Sequence, residues 1–253
     1  MKELLANVAT RSHVSTLLFR GQSDSSWRLQ TTLERYAPDS LRVSHYYRTI
    51  HRAKYQIESL TEQRWEIPTL PDYDKWLGSQ DGFRPWDLPG YDYMIYLRHH
   101  NFPSPLLDWS RSPYVAAFFA FNHAGKTNSD VSIYAYLEHA GYGKTIPPSD
   151  EARICGILPR VRSHARHVLQ QAEYTICTVQ SDTHWSYACH EDVFEKGEDE
   201  QDVLWKFSIP SNERLKVLRL LDRYNLNAFS LFGSDESLME TVALREFLFR
   251  KGL

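Results

Sequence analysis

Residues 104–121 read SPLLDWSRSPYVAAFFAF, a carboxylate inside an apolar frame followed by a proline-led run. Ser112 supplies a side-chain oxygen for free N–H groups, and Pro113 fits the first turn of a helix. The run from Tyr114 to Phe121 is apolar on nearly every side, which predicts a buried helix. Gly125 is its expected C-terminal stop. Asp108 stands between Leu106-Leu107 and Trp109, so its charge has to be paired, or solvated in a cleft. It either orients Arg20 or His99, or caps backbone N–H groups at the turn into the helix.

Upstream, residues 13–20 read as a β-strand ending at Gly21, with a polar turn over 22–26 and a short extended run carrying Trp27 and Leu29. Tyr46, Ile50, Ile57 and Leu60 recur at helical spacing within 40–66. Residues 68–89 hold four prolines and read as a long irregular connection, and 91–100 as another helix. Downstream, strands are expected at 131–137, 173–179 and 204–209, with an acidic solvated loop over 191–202. Ser211 starts a helix carrying Leu215, Leu218 and Leu221, and a final helix runs from about Glu236 to Arg250. No composition shift marks a boundary. The expectation is an α+β fold, one domain over 1–253, with a mixed or antiparallel β core flanked by helices, helices early and strands later.

The chain has 253 residues with 42% hydrophobic content, enough for a sizeable core, and 13% aromatic residues. Its net charge of −3 argues against a dedicated duplex-DNA binder. A local basic run remains, Arg160, Arg162 and Arg166 with His164 and His167. Cys155, Cys177 and Cys189 are three and widely spaced, which points to a reducing compartment. Neither Cys189-His190 nor His99-His100 has further ligands at metal spacing, so no metal is expected. There is no signal-peptide pattern and no membrane-length apolar window, so a cytoplasmic protein without membrane association is expected.

Phe19-Arg20-Gly21 with Gln22, Trp27 and Leu29 resembles the opening motif of the FRG domain family. Residues 104–121 resemble its second signature, with His99 in the same block. Arg166, Gln170, Ala172 and Tyr174 resemble a third, and Leu231-Phe232 the start of the last. Asn101 stands where the family usually has glycine, which suits a positive φ. Ala172 also replaces a glycine.

The order of Arg20, the Trp109-Ser110 corner and Gln171/Glu173 is similar to the Arg, Ser-Thr-Ser, Gln/Glu-x-Glu order of ADP-ribosyltransferases. That resemblance implies NAD as substrate and ADP-ribose transfer to a macromolecule, possible acceptors being RNA, DNA or protein. It also implies a bacterial toxin or anti-phage effector, with an antitoxin as a possible partner. Arg20, beside Gly21 and Gln22, would grip the NAD diphosphate, or is a structural arginine bonding strand carbonyls. Glu173 would stabilise the oxocarbenium-like ribose, with Gln171 on the same strand face orienting the acceptor, or Glu173 is a surface residue while Gln170 carries the family likeness. Ser110 would hold the NAD ribose or the strand bearing Arg20. Trp109 and Tyr174 would stack on nicotinamide or adenine, or fill core. His99 reads as a hydrogen-bond anchor. Arg160, Arg162 and Arg166 would meet a nucleic-acid acceptor. The competing readings are a non-catalytic nucleotide or nucleic-acid binding module and an NAD glycohydrolase.

Overall fold

The computed structural model describes residues 3, 8, 14–37, 41–79, 87–124, 129–141, 143–144, 150–157, 165–181, 184–194 and 201–250. Its strands are β1 (Leu18–Gln22), β2 (Leu106–Ser110), β3 (Val131–His139), β4 (Arg153–Ile157), β5 (Ala172–Ser181), β6 (His184–Tyr187) and β7 (Gln201–Ile209). All belong to one antiparallel sheet in the order β4-β5-β2-β1-β3-β7, with β6 paired to β5. The helices are α1 (Thr32–Tyr36), α2 (Val43–Thr61), α3 (Leu70–Gly78), α4 (Tyr91–His99), α5 (Pro113–Asn122), α6 (Ala165–Leu169), α7 (His190–Phe194), α8 (Arg214–Arg223), α9 (Ala228–Phe232) and α10 (Asp235–Ala243). The fold is α+β, as the sequence predicts, but strands and helices alternate along the chain instead of segregating.

Three apolar clusters hold the sheet. On one face, α2, α3 and α4 cover β2 and β5, through Tyr46, Ile50, Tyr93 and Leu97 against Leu106, Tyr174 and Ile176. On the same face, α5, α8 and α9 cover β1 and β3, through Phe118, Phe121, Leu218 and Leu231 against Phe19, Ile133 and Ala135. The opposite face buries Leu18, Leu107, Trp109, Tyr134, Tyr136 and Cys177. Burying α5 among these side chains is what an all-round apolar sequence requires. Ser112 caps it by accepting from Val115 N.

Gly21 is where α5 meets β1. A Cβ placed there would stand 2.0 Å from the Ala116 carbonyl oxygen and 2.6 Å from Ala120 N, so only hydrogen lets the two backbones approach.

Several expectations fail locally. The first strand begins at Leu18 and runs through Gly21 to Gln22, and no strand forms at Trp27–Leu29. Residues 68–89 are not structureless: Thr69 accepts from Asp72 N and Pro71 sits in the first turn, which starts α3. Leu60 is exposed at the end of α2. At both of its described ends, 191–194 and 201–202, the acidic tract is not a solvated loop. It begins in α7, Glu191 accepts from Arg28 Nε and Leu29 N, and buried Asp202 lies in β7 bonded to Lys144 and Tyr136. Strands β2, β4 and β6 have no counterpart among the expected elements. The stop expected at Gly125 lies outside the described residues. No described helix is long and apolar enough to cross a membrane.

Candidate functional site

β1 and β2 are neighbours that share one register pair, Phe19 with Ser110, whereas β1 and β3 share five from Leu18 to Gln22. Beyond Phe19 the two strands part. The Arg20 side chain crosses the gap where ladder bonds would otherwise run: Nη1 donates to the Asp108 carbonyl at 2.8 Å and to the Asp108 carboxylate at 2.6 Å. Arg98, at the end of α4, donates to the same carboxylate oxygen at 2.5 Å. Asp108 therefore orients Arg20. It does not cap the turn before α5, because it lies in mid-strand and Ser112 does the capping.

The gap opens into a cleft of about 1050 Å³, at the upper end of the range for small-molecule sites. Its floor is the sheet between the two helical layers on that face. Arg20, Arg28, Arg35, Arg98 and Arg166 line it, against a single carboxylate, Asp108. Burial alone would raise the Asp108 carboxyl, but the two guanidiniums outweigh it and hold the group well below the usual carboxylate range. Arg35 is depressed by burial and by its cationic neighbours Arg20 and Arg98. Its Nη1 donates to the Gln30 carbonyl, and no described carboxylate forms an ion pair with it. The buried Nε–H groups of Arg20 and Arg98 have no hydrogen-bond partner among the described residues. Three guanidiniums around one carboxylate leave a local surplus of positive charge that favours a polyanion.

The cleft gathers many of the residues expected from sequence. Gly21, Gln22, His99, Asp108, Ser110, Gln170, Tyr174 and Arg166 all line it with Arg20. Ser110 Oγ donates to the Gln170 carbonyl at 2.8 Å and accepts from Ser112 N, so it fastens the end of β2 to the turn before β5. Gln170 is buried, and its side chain donates to the Leu231 carbonyl. Both are braces of the wall. His99 is the anchor expected, Nε2 lying 2.9 Å from the Tyr174 hydroxyl. Tyr174 is not free to stack on a ligand, since His167 lies parallel to its ring and Tyr91 meets it edge-on. Nor is Trp109: its residue borders the cleft, but the indole is buried against Tyr136 and donates to Thr175 Oγ1 at 2.9 Å.

Glu173 and Gln171 do not line the cleft. Gln171 precedes β5 with φ of 48°, so it does not share a strand face with Glu173. Glu173 is in register with Trp109, which places it with the face opposite Asp108 and Tyr174. Its carboxylate lies 3.6 Å from Arg111, and burial raises it while Arg111 partly offsets that. Arg160 and Arg162 lie outside the described residues.

Sequence reading missed Trp27, Arg28, Arg35 and Arg98 as site residues. Arg35 and Arg98 sit on helices, and nothing in their spacing relates them to Arg20. Trp27 and Arg28 follow Arg20 closely enough to have been taken with it. Among the described residues, no group of three or more His, Cys, Asp or Glu could hold a metal ion. His190 is instead a buried structural histidine, Nε2 against Thr175 Oγ1, with burial pushing it down to about 3.

The sheet thus splits over an arginine-lined cleft whose excess positive charge suits a polyanion. Among family models, the FRG domain matches residues 15–129 of the chain. No curated protein and no solved structure matches the chain significantly.

Proposed function

We propose that the cleft binds NAD by its diphosphate and that the protein transfers ADP-ribose to a macromolecule. The observation that carries this reading is the convergence of Arg20, Arg35 and Arg98 around the one carboxylate of Asp108. The NAD diphosphate is a dianion, and planar guanidiniums grip such groups with paired hydrogen bonds. Strand order adds support, because Arg20, Ser110 and Glu173 stand on the adjacent strands β1, β2 and β5. On this reading Glu173, near the start of β5, is the acid that steadies the positive ribose as nicotinamide leaves. The acceptor is RNA, DNA or protein, and the setting a toxin or anti-phage effector with an antitoxin as partner.

A second reading has an observation of its own. Glu173 is off the cleft wall, which suits a module that binds nucleotides or nucleic acid without turning NAD over. The test is to incubate the protein with NAD, alone and with RNA, DNA or lysate. Nicotinamide release with a labelled acceptor supports transfer. Free ADP-ribose as the sole product identifies a glycohydrolase, and intact NAD with salt-sensitive nucleic-acid binding identifies the module.

A further inference from the structure

The loop after β1 is pinned along its length. Asp24 is buried, and its carboxylate accepts from Ser26 N at 2.8 Å and Ser26 Oγ at 2.7 Å. Ser25 N donates to the Asp130 carbonyl, and Lys206 donates to the Ser25 carbonyl. Gln22 Nε2 donates to the Arg28 carbonyl, while Glu191 takes both Arg28 Nε and Leu29 N. A loop fixed so thoroughly leaves one large aromatic in water: Trp27, at the cleft, is 53% exposed. The other aromatics proposed for stacking, Trp109 and Tyr174, are enclosed.

We propose that Trp27 is the base platform of the cleft, stacking a nucleobase whose diphosphate lies on Arg20, Arg35 and Arg98. This rests on the nucleotide-binding part of the proposed function and is independent of whether the bound nucleotide reacts. An indole carried on a pinned backbone offers a base an exposed π surface without the cost of ordering the loop, and Arg28 beside it is held by Glu191.

The test compares ADP with inorganic pyrophosphate by calorimetry on wild type, Trp27→Ala and Trp27→Phe. Stacking of one base predicts that ADP binds wild type roughly tenfold tighter than pyrophosphate, an advantage that Trp27→Ala removes and Trp27→Phe largely restores. Pyrophosphate affinity stays the same in all three. Unchanged ADP affinity in Trp27→Ala overturns the platform and leaves the phosphate site standing. Failure of both ligands to bind wild type overturns the nucleotide cleft and the platform together. ADP binding that depends on Trp27, with NAD left intact, upholds the platform while the transfer reading falls.

Discussion

Arg20 Nη1 bonds both the carbonyl and the carboxylate of Asp108, at 2.8 and 2.6 Å, so one side chain bridges the strands where their ladder has stopped. The same contact leaves its buried Nε–H unpartnered. The arginine of the opening motif thus has two tasks: it closes the sheet behind the cleft and presents charge within it.

Replacing Asp108 by Asn should leave Arg20 and Arg98 without a counter-charge. The side chain is 41% exposed, so water screens the pair, and the expected loss is about 1–2 kcal/mol, below the cost of breaking a fully buried pair. Because the folded carboxyl is depressed, its contribution is present above the unfolded value of about 4 and is lost as pH falls through the folded one. Urea melts at pH 7 and below pH 3 check this: the gap between wild type and Asp108→Asn should narrow in acid.

Gly21→Ala should be far more damaging than its size suggests. The new methyl meets the α5 backbone at Ala116 and Ala120, which no rotamer change relieves. A loss on the order of 3 kcal/mol or more is expected, read as a lowered melting temperature and reduced soluble yield. A wild-type melt would show that α5 moves freely from β1.

Glu173→Gln separates chemistry from fold. Burial raises the native carboxyl, so the charged form is disfavoured in the folded state and stability falls as pH rises through the folded value. The amide should therefore melt at or above wild type at pH 7. If Glu173 steadies the ribose, NAD turnover in the variant drops by roughly a hundredfold or more while NAD binding persists. Unaltered turnover would assign the acid elsewhere.

The three cysteines should be inert in the native protein. Burial pushes Cys155 and Cys189 up to about 11, and Cys177 well above the ordinary thiol value. At pH 7.5 a thiol reagent should label little until denaturant is added, and then all three. Fast native labelling of Cys177, which is buried, would contradict this.

The helices α2, α4 and α5 were legible because each carries its own periodicity or cap. The strand β2 was not. LLDWS places Asp108 among apolar residues, and only the pairing of its two neighbours β1 and β5 makes it a central strand. Asn101, which stands where the FRG pattern usually has glycine, has φ of 63°, so the backbone there needs the left-handed conformation that asparagine tolerates. The arginine of the cleft was visible as a motif letter, whereas Arg35 and Arg98 join it only through tertiary packing. The face of Glu173 could not be read, since Gln171 turns left-handed just before β5 and resets which side chains look inward.

The most direct measurement is a structure of the protein with ADP-ribose bound. The account predicts the diphosphate between β1 and β2, within hydrogen-bonding distance of Arg20 and Arg35. A ligand bound elsewhere on the surface, with the Arg20–Asp108 cleft unoccupied, would contradict it.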